Sequence, residues 1–375
     1  MLNPIEYLKT LKENGVTFFT GVPDSLLKEF CACITASIDT KSHIIAANEG
    51  AAVGLSVGHY VGTNKLPLVY LQNSGLGNLI NPLLSLASSE VYGVPMLLMI
   101  GWRGEPGKKD EPQHIHQGRV MMAMLEAMNI PVVVLSEEFI EANEQTKEAI
   151  MKAHKICGPV AIIVRKGTFD KFNIETKIKN NLTLSRENAI ISAAEILEKD
   201  AAVICTTGMA SRELFEFRVR TESGHKRDFL TVGGMGHANQ IALGLAISSP
   251  NRPIYCFDGD GAALMHMGSM AIIGQSGCSN LMHLIFNNGV HDSVGGQPTV
   301  GFSINIPEIA KACGYIDAVS VETVETLRVA ISNLKLKNGP TLIEIRVRPG
   351  NRADIGRPTT TPLENKIALM EFIKG

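Results

Sequence analysis

Two short loops concentrate the residues that can hold a phosphate together with a metal ion. One is Asp258-Gly259-Asp260-Gly261-Ala262, a carboxylate set between glycines; the other, Asn287-Asn288-Gly289, offers paired amides. Glycines let backbone N–H groups approach a phosphate closely, and a helix opening at Ala262 favours an anion. Asp260 and an Asn side chain are hard oxygen ligands, suited to Mg2+ that also binds phosphate oxygens. Singly, each loop also reads as a plain turn. Glu49, in Asn48-Glu49-Gly50-Ala51-Ala52, reads on its own as a first-turn acid favoured by the helix dipole. Asp24 and Ser25, in Gly21-Val22-Pro23-Asp24-Ser25, follow the first strand, where Ser25 on its own reads as the N-cap of the next helix. In Asp110-Glu111-Pro112-Gln113-His114-Ile115-His116 the acids lack metal-ligand spacing; His114 is read as a substrate or proton-transfer residue, or as one that orders its loop. His291 directly follows the asparagine loop, and a histidine does acid–base work near neutral pH.

Such residues need a scaffold that brings loops to one edge. Short apolar runs alternate with helical segments: Val16–Thr20, Ile44–Ala47, Leu66–Leu71, Pro95–Ile100, Val132–Leu135 and Val160–Val164, then Ala202–Cys205, Phe229–Val232, Ile254–Phe257, Leu281–Phe286, Ile316–Ser320 and Thr341–Val347. Runs that are apolar nearly throughout are strands covered on both faces, and this alternation implies parallel sheets with right-handed crossovers. The expectation is an α/β protein of two doubly wound parallel-sheet domains, residues 1–168 and 186–375, joined by a polar linker over 169–185. Doubly wound sheets bind ligands at the carboxyl ends of their strands, where the loops above fall. The first helix is capped by Asn3, starts at Pro4 and closes at Gly15, with Ile5, Leu8 and Leu11 as its apolar stripe. Later helices are expected over His237–Ile247, Ala262–Gln275 and Val324–Leu336.

From Gly259 to Asn288 the two loops resemble the diphosphate-and-Mg2+ signature of thiamine-diphosphate enzymes. On these motifs the chain is identified as a member of the thiamine-diphosphate-dependent 2-oxoacid decarboxylases. The resemblance implies that Asp260, the Asn288 side chain and the Val290 carbonyl bind Mg2+, with Asn287 behind them, and that Gly259, Gly261 and Ala262 lie around the diphosphate. It implies that Glu49 hydrogen-bonds the aminopyrimidine and shares a proton with it. Within Gly233-Gly234-Met235-Gly236 it puts Met235 under the thiazolium, with the Gly233 carbonyl accepting from the 4′-amino group; otherwise Met235 fills a core gap. Gly21–Ser25 resembles the serine-bearing substrate loop of benzoylformate decarboxylase, which makes Asp24 and Ser25 substrate-site candidates. The first domain then resembles the pyrimidine-binding domain and the second the diphosphate-binding domain, with no room for the middle domain of larger members. In this family the cofactor lies between domains of different subunits, so a homo-oligomer, at least a dimer, is expected.

The substrate expectation is a small anionic 2-oxoacid. Gln72-Asn73-Ser74-Gly75 lies where pyruvate-decarboxylating members carry a His-His pair, which argues against pyruvate. Gly21–Lys28, Asp110–Gly118, His291–Thr299 and Arg352–Pro358 are similar to members whose 2-oxoacid carries a phosphonate. A sulfonate is the alternative; that branch commonly splits its domains between chains, so a fused chain favours the phosphonate. Arg103, Lys108, Lys109, Arg352 and Arg357 are candidates for the second anion, and Gly101–Gly107 for a closing loop. An acetolactate-synthase-like carboligase would need the middle domain. A nonenzymatic phosphate- or nucleotide-binding α/β protein would have no use for Glu49.

Composition narrows the partners. A net charge of -2 gives no reason to expect nucleic acid or an anionic membrane surface. The apolar runs are far shorter than the roughly 20 residues of a membrane span. Seven cysteines without a C-x-x-C pair fit a reducing compartment, with Cys31 and Cys33 read as structural thiols in a helix. With no basic leader before Pro4, a soluble cytoplasmic protein is expected.

Overall fold

The computed structural model describes residues 1–172 and 181–375. They form two compact units, one on the first 172 residues and one on residues 181–375 apart from Val294–Gln297. Each contains one six-stranded, wholly parallel sheet.

In the first unit the strands are β1 (Val16–Gly21), β2 (His43–Ile45), β3 (Leu66–Gln72), β4 (Met96–Gly101), β5 (Val132–Val134) and β6 (Pro159–Val164), in the order β2-β1-β3-β4-β6-β5. In the second they are β7 (Ala202–Cys205), β8 (Asp228–Leu230), β9 (Ile254–Gly259), β10 (Leu281–Asn287), β11 (Asp317–Val321) and β12 (Thr341–Arg346), ordered β11-β12-β10-β9-β7-β8. Because side chains alternate across a strand, Leu68 and Tyr70 join the core on one face of the first sheet while Val69 and Leu71 join that on the other. Met282, Leu284 and Phe286 divide from Leu281 and Ile285 in the same way. Both faces of each sheet are thus buried, which is why the strands read as unbroken apolar runs.

The first helix, Pro4–Glu13, is capped as its sequence specifies: Asn3 accepts from the Ile5 amide at 2.9 Å, and Gly15 takes φ +89°. Its stripe differs. Tyr7, Leu8 and Leu11 are buried while Ile5 is 56 % exposed, since positions 4, 7, 8 and 11 follow the 3.6-residue period better than 5, 8 and 11. The single helix expected over Ala262–Gln275 is two short ones, Asp260–Met265 and Ser269–Gly274. The break falls beside Gly268 and where the Gly236 turn crosses so closely that a Cβ there would lie 2.7 Å from His266 Cδ2. Part of the expected linker, residues 173–180, lies outside the described residues. Before it, Leu2 and Phe169 form a parallel bridge with Phe169 buried; after it, Leu184 is buried and Ser185 caps the helix Arg186–Ala194. Cys31 and Cys33 are buried in the helix Lys28–Ser37. Among the described residues no helix is long and apolar enough to cross a membrane.

Candidate active site

In the second unit, neighbouring strands β9 and β10 deliver the two motif loops to one sheet edge. Gly259 ends β9 and Asp260 opens the next short helix. The Asp260 carboxylate is buried and accepts from the Thr299 hydroxyl and from the amides of Asn288 and Gly261. No cation is among these partners, and burial pushes its pKa up to about 6. Asn287, fully buried, donates to Glu344 Oε1 at 2.6 Å and to the Gly301 carbonyl at 2.9 Å. Gly301 has to be small here, because a Cβ would come within 2.7 Å of both Asn287 Oδ1 and Asp260 Oδ2. Asn288 Oδ1 accepts from the Val290 amide at 3.0 Å, and Asn288 Nδ2 donates to Asp292 Oδ2 at 2.7 Å. Asp292 is itself paired with Arg186.

Met235, His291 and Gly261 converge nearby. A Cβ built on Gly261 would lie 2.9 Å from His291 Cε1 and 3.4 Å from the Met235 methyl. Burial pushes His291 down to about 4, so its imidazole is neutral near pH 7 and serves as an acceptor or hydrogen-bonding group rather than a ready acid. The Gly233–Gly236 turn is braced by His237, whose Nδ1 lies 3.1 Å from the carbonyls of Gly234 and Met235. Beneath the loop, Asp258 takes the Gly259 amide on Oδ1 at 2.9 Å and His283 Nε2 on Oδ2 at 3.3 Å, and His283 Nδ1 meets the Tyr315 hydroxyl at 3.3 Å.

In the first unit, four adjacent strands each contribute at their carboxyl ends: Glu49 after β2, Asp24 and Ser25 after β1, Asn73 after β3 and Arg103 after β4. Glu49 is the first residue of the helix Glu49–Thr63, which Asn48 caps through the Ala51 amide. It is 5 % exposed, accepts from Asn78 Nδ2 at 2.7 Å, and has its pKa raised by burial. Gly75 makes the space for it: a Cβ there would lie 2.1 Å from Glu49 Oε1. Asp24 is fully buried, accepts from the amides of Leu26 and Leu27, and is raised to about 6 by burial.

Ser25 is not the N-cap of the following helix, which starts only at Lys28 after Leu27; Asp24 takes the amides there instead. The Ser25 hydroxyl accepts from Arg103 NH1 at 2.9 Å. Arg103 also forms a fork with Asp110, pairing Nε with Oδ2 at 2.8 Å and NH2 with Oδ1. His114 lies in the first turn of the helix Pro112–Ala127, pushed down to about 4 by burial, with Nδ1 buried and unpaired. His116 points elsewhere, to Arg119. Gly101–Gly107 is not free to close along its whole length. Asn73 holds the Arg103 backbone, Gly104 donates to Asp110, and Trp102 donates to the Gly118 carbonyl. Arg352 is surrounded by Glu187, Glu216 and Asp354 rather than left open for a ligand.

Asn78 and the His283–Tyr315 pair had no sequence motif to reveal them, while Thr299 closes the His291–Thr299 segment without having been given a role. Asn73 and Gly75 lie in the Gln72–Gly75 segment already noted for another reason.

Comparison with known proteins agrees with this two-sheet fold. The N-terminal TPP binding domain of thiamine pyrophosphate enzymes matches residues 7–130, and the C-terminal TPP binding domain matches residues 205–345. The chain is 32 % identical to a phosphonopyruvate decarboxylase of Streptomyces viridochromogenes, over 100 % of this chain and 95 % of that protein. It is 32 % identical to a second phosphonopyruvate decarboxylase, from Streptomyces hygroscopicus, over 99 % and 94 % of the two chains. A sulfopyruvate decarboxylase of Methanosarcina acetivorans is 25 % identical over 94 % of this chain and 93 % of its own. That last match spans both domains on one chain, so fusion of the domains does not separate phosphonate from sulfonate enzymes as expected.

Proposed function

We infer, from the premise that this chain belongs to the thiamine-diphosphate-dependent decarboxylase family, that it converts 3-phosphonopyruvate to phosphonoacetaldehyde and CO2. Thiamine diphosphate is its cofactor, and Mg2+ is proposed as the ion that holds the diphosphate. The donor set supports that ion: Asp260 is a buried carboxylate without a cation among the described residues, an unfavourable state that a divalent metal relieves. Asp260, Asn288 and the Val290 carbonyl would hold it, with Asn287 fixing the loop and Gly259, Gly261 and Ala262 leaving room for the diphosphate.

When bound, the cofactor supplies the nucleophilic carbon and electron sink that loss of CO2 from a 2-oxoacid requires. The protein's part is placement and proton control. Glu49, biased by burial toward its protonated form and anchored through Oε2 by Asn78, keeps Oε1 to hold or release a proton at the pyrimidine. Met235 would support the thiazolium, with the Gly233 carbonyl accepting a hydrogen bond from the 4′-amino group. His291 and His114, both neutral near pH 7, and the Asp24–Ser25 pair are proposed to orient substrate and to accept or relay protons. A homo-oligomer of at least two chains is proposed as the working form.

The substrate rests on one observation, the whole-length similarity to two phosphonopyruvate decarboxylases. A second reading, 3-sulfopyruvate, is favoured by the full-length Methanosarcina relative. The test is 31P NMR of 3-phosphonopyruvate incubated with chelator-treated protein, then with thiamine diphosphate and Mg2+ restored. Conversion to phosphonoacetaldehyde only on restoration supports the assignment; an unchanged substrate resonance with cofactor demonstrably bound refutes it.

A further inference from the structure

The Arg103 guanidinium is built as an anion receptor whose ligand is, at present, part of the same chain. Its backbone is clamped on both sides by Asn73, which donates to the Arg103 carbonyl at 2.8 Å and accepts from its amide at 3.1 Å. Its side chain presents Nε and NH2 to Asp110 as a bidentate fork, while NH1 reaches Ser25 Oγ. His114 adds a buried nitrogen without a partner in the neighbourhood of the pair. The residues that fix this group follow β1, β3 and β4, on the same sheet edge that carries Glu49. A planar fork with a hydroxyl beside it matches a tetrahedral oxyanion as well as a carboxylate.

We propose that Arg103, with Ser25, is the subsite for the substrate's phosphonate, and that Asp110 is an internal stand-in which the phosphonate displaces. The proposal rests on the reading of the chain as a decarboxylase of a phosphonate-bearing 2-oxoacid. The exchange also gives a basis for selectivity. A dianionic phosphonate gains more from the guanidinium than the singly charged Asp110 it replaces, whereas a sulfonate, also singly charged, competes on equal terms. A neutral methyl, as in pyruvate, cannot displace Asp110 at all. The site therefore favours phosphonate over sulfonate over methyl without any contact that rejects the other two.

The test compares wild type, Arg103→Gln and Asp110→Asn as holoenzymes with thiamine diphosphate and Mg2+. Isothermal titration with 3-phosphonopropionate and 3-sulfopropionate reads the subsite, and steady-state CO2 release from 3-phosphonopyruvate and pyruvate reads its use. Loss of a charge-assisted fork should weaken 3-phosphonopropionate about 10- to 100-fold in Arg103→Gln, mainly as KM rather than kcat. Asp110→Asn should act in the opposite direction, tightening both analogues by a similar factor, since each displaces the same ion pair. A merely structural ion pair would weaken binding in both variants and lower both melting temperatures. That outcome, or wild-type binding matched by both variants, overturns the subsite alone. A wild type that neither binds 3-phosphonopropionate nor prefers 3-phosphonopyruvate to pyruvate overturns the substrate reading, and the subsite with it.

Discussion

Replacing Gly75 by alanine adds a single methyl group next to the proposed proton-handling carboxylate. The added Cβ would stand 2.1 Å from Glu49 Oε1, 2.5 Å from Cδ and 2.8 Å from Cγ. Gly75 lies at φ -78°, which any residue adopts, so the backbone has no reason to resist. The whole effect must fall on Glu49, whose carboxyl has to retreat by roughly 1 Å, and a misplacement of that size in a catalytic group costs on the order of 100-fold in rate. Moving Oε2 also breaks the 2.7 Å bond from Asn78, but that amide is exposed and turns to water instead, so the cost to stability is small. Gly77 is the matched control, since a Cβ there meets nothing within 4 Å. Gly75→Ala should therefore lower kcat by about 100-fold, with an unfolding midpoint near wild type, while Gly77→Ala keeps wild-type rates. Wild-type kcat in Gly75→Ala, or equal losses in the two variants, would refute the assignment of Glu49.

The remaining predictions concern the second unit. Asp260 titrates near 6 in the fold against 3.8 for an ordinary carboxylate, so the folded apoprotein holds this proton the more tightly. Its linked stability is complete below about pH 3.8 and is lost as pH rises through about 6. Asp260→Asn removes that loss. The variant apoprotein should exceed wild-type apoprotein at pH 8 by up to about 3 kcal/mol, a difference that vanishes toward pH 4, while Mg2+-dependent cofactor binding collapses. Denaturant unfolding at the two pH values checks it, and superimposable curves at pH 8 would contradict it. His283→Leu strips Asp258 of a buried partner and loosens its hold on the Gly259 amide. Unfolding free energy should fall by roughly 1–3 kcal/mol, with weaker cofactor binding by titration calorimetry; an unchanged midpoint would show that Asp258 is satisfied without it.

The sheets were legible because their central strands are buried on both faces, so β3 and β10 read as apolar runs whatever their neighbours. The two loops proposed for phosphate and metal stood out because ligand chemistry and glycines sit at strand ends close in sequence. Features that depend on strand order were not. Arg103 meets Ser25 and Asn73 only because β1, β3 and β4 lie side by side, and no local pattern states that order. Asn78 reaches Glu49 from a separate helix, a pairing invisible to spacing. The break within 260–275 escaped notice because the Gly236 turn that crowds His266 comes from a distant segment. Ile5 shows the limit of periodicity alone: it shares a plausible spacing with Leu8 and Leu11 yet lies toward solvent.

Steady-state CO2 release from 3-phosphonopyruvate, 3-sulfopyruvate and pyruvate, measured side by side with saturating thiamine diphosphate and Mg2+, tests the central claim most directly. The account predicts the highest kcat/KM for 3-phosphonopyruvate, a lower one for 3-sulfopyruvate and the lowest for pyruvate. Preference for 3-sulfopyruvate would contradict the substrate while leaving the chemistry, and no CO2 from any of the three with cofactor bound would contradict the decarboxylase itself.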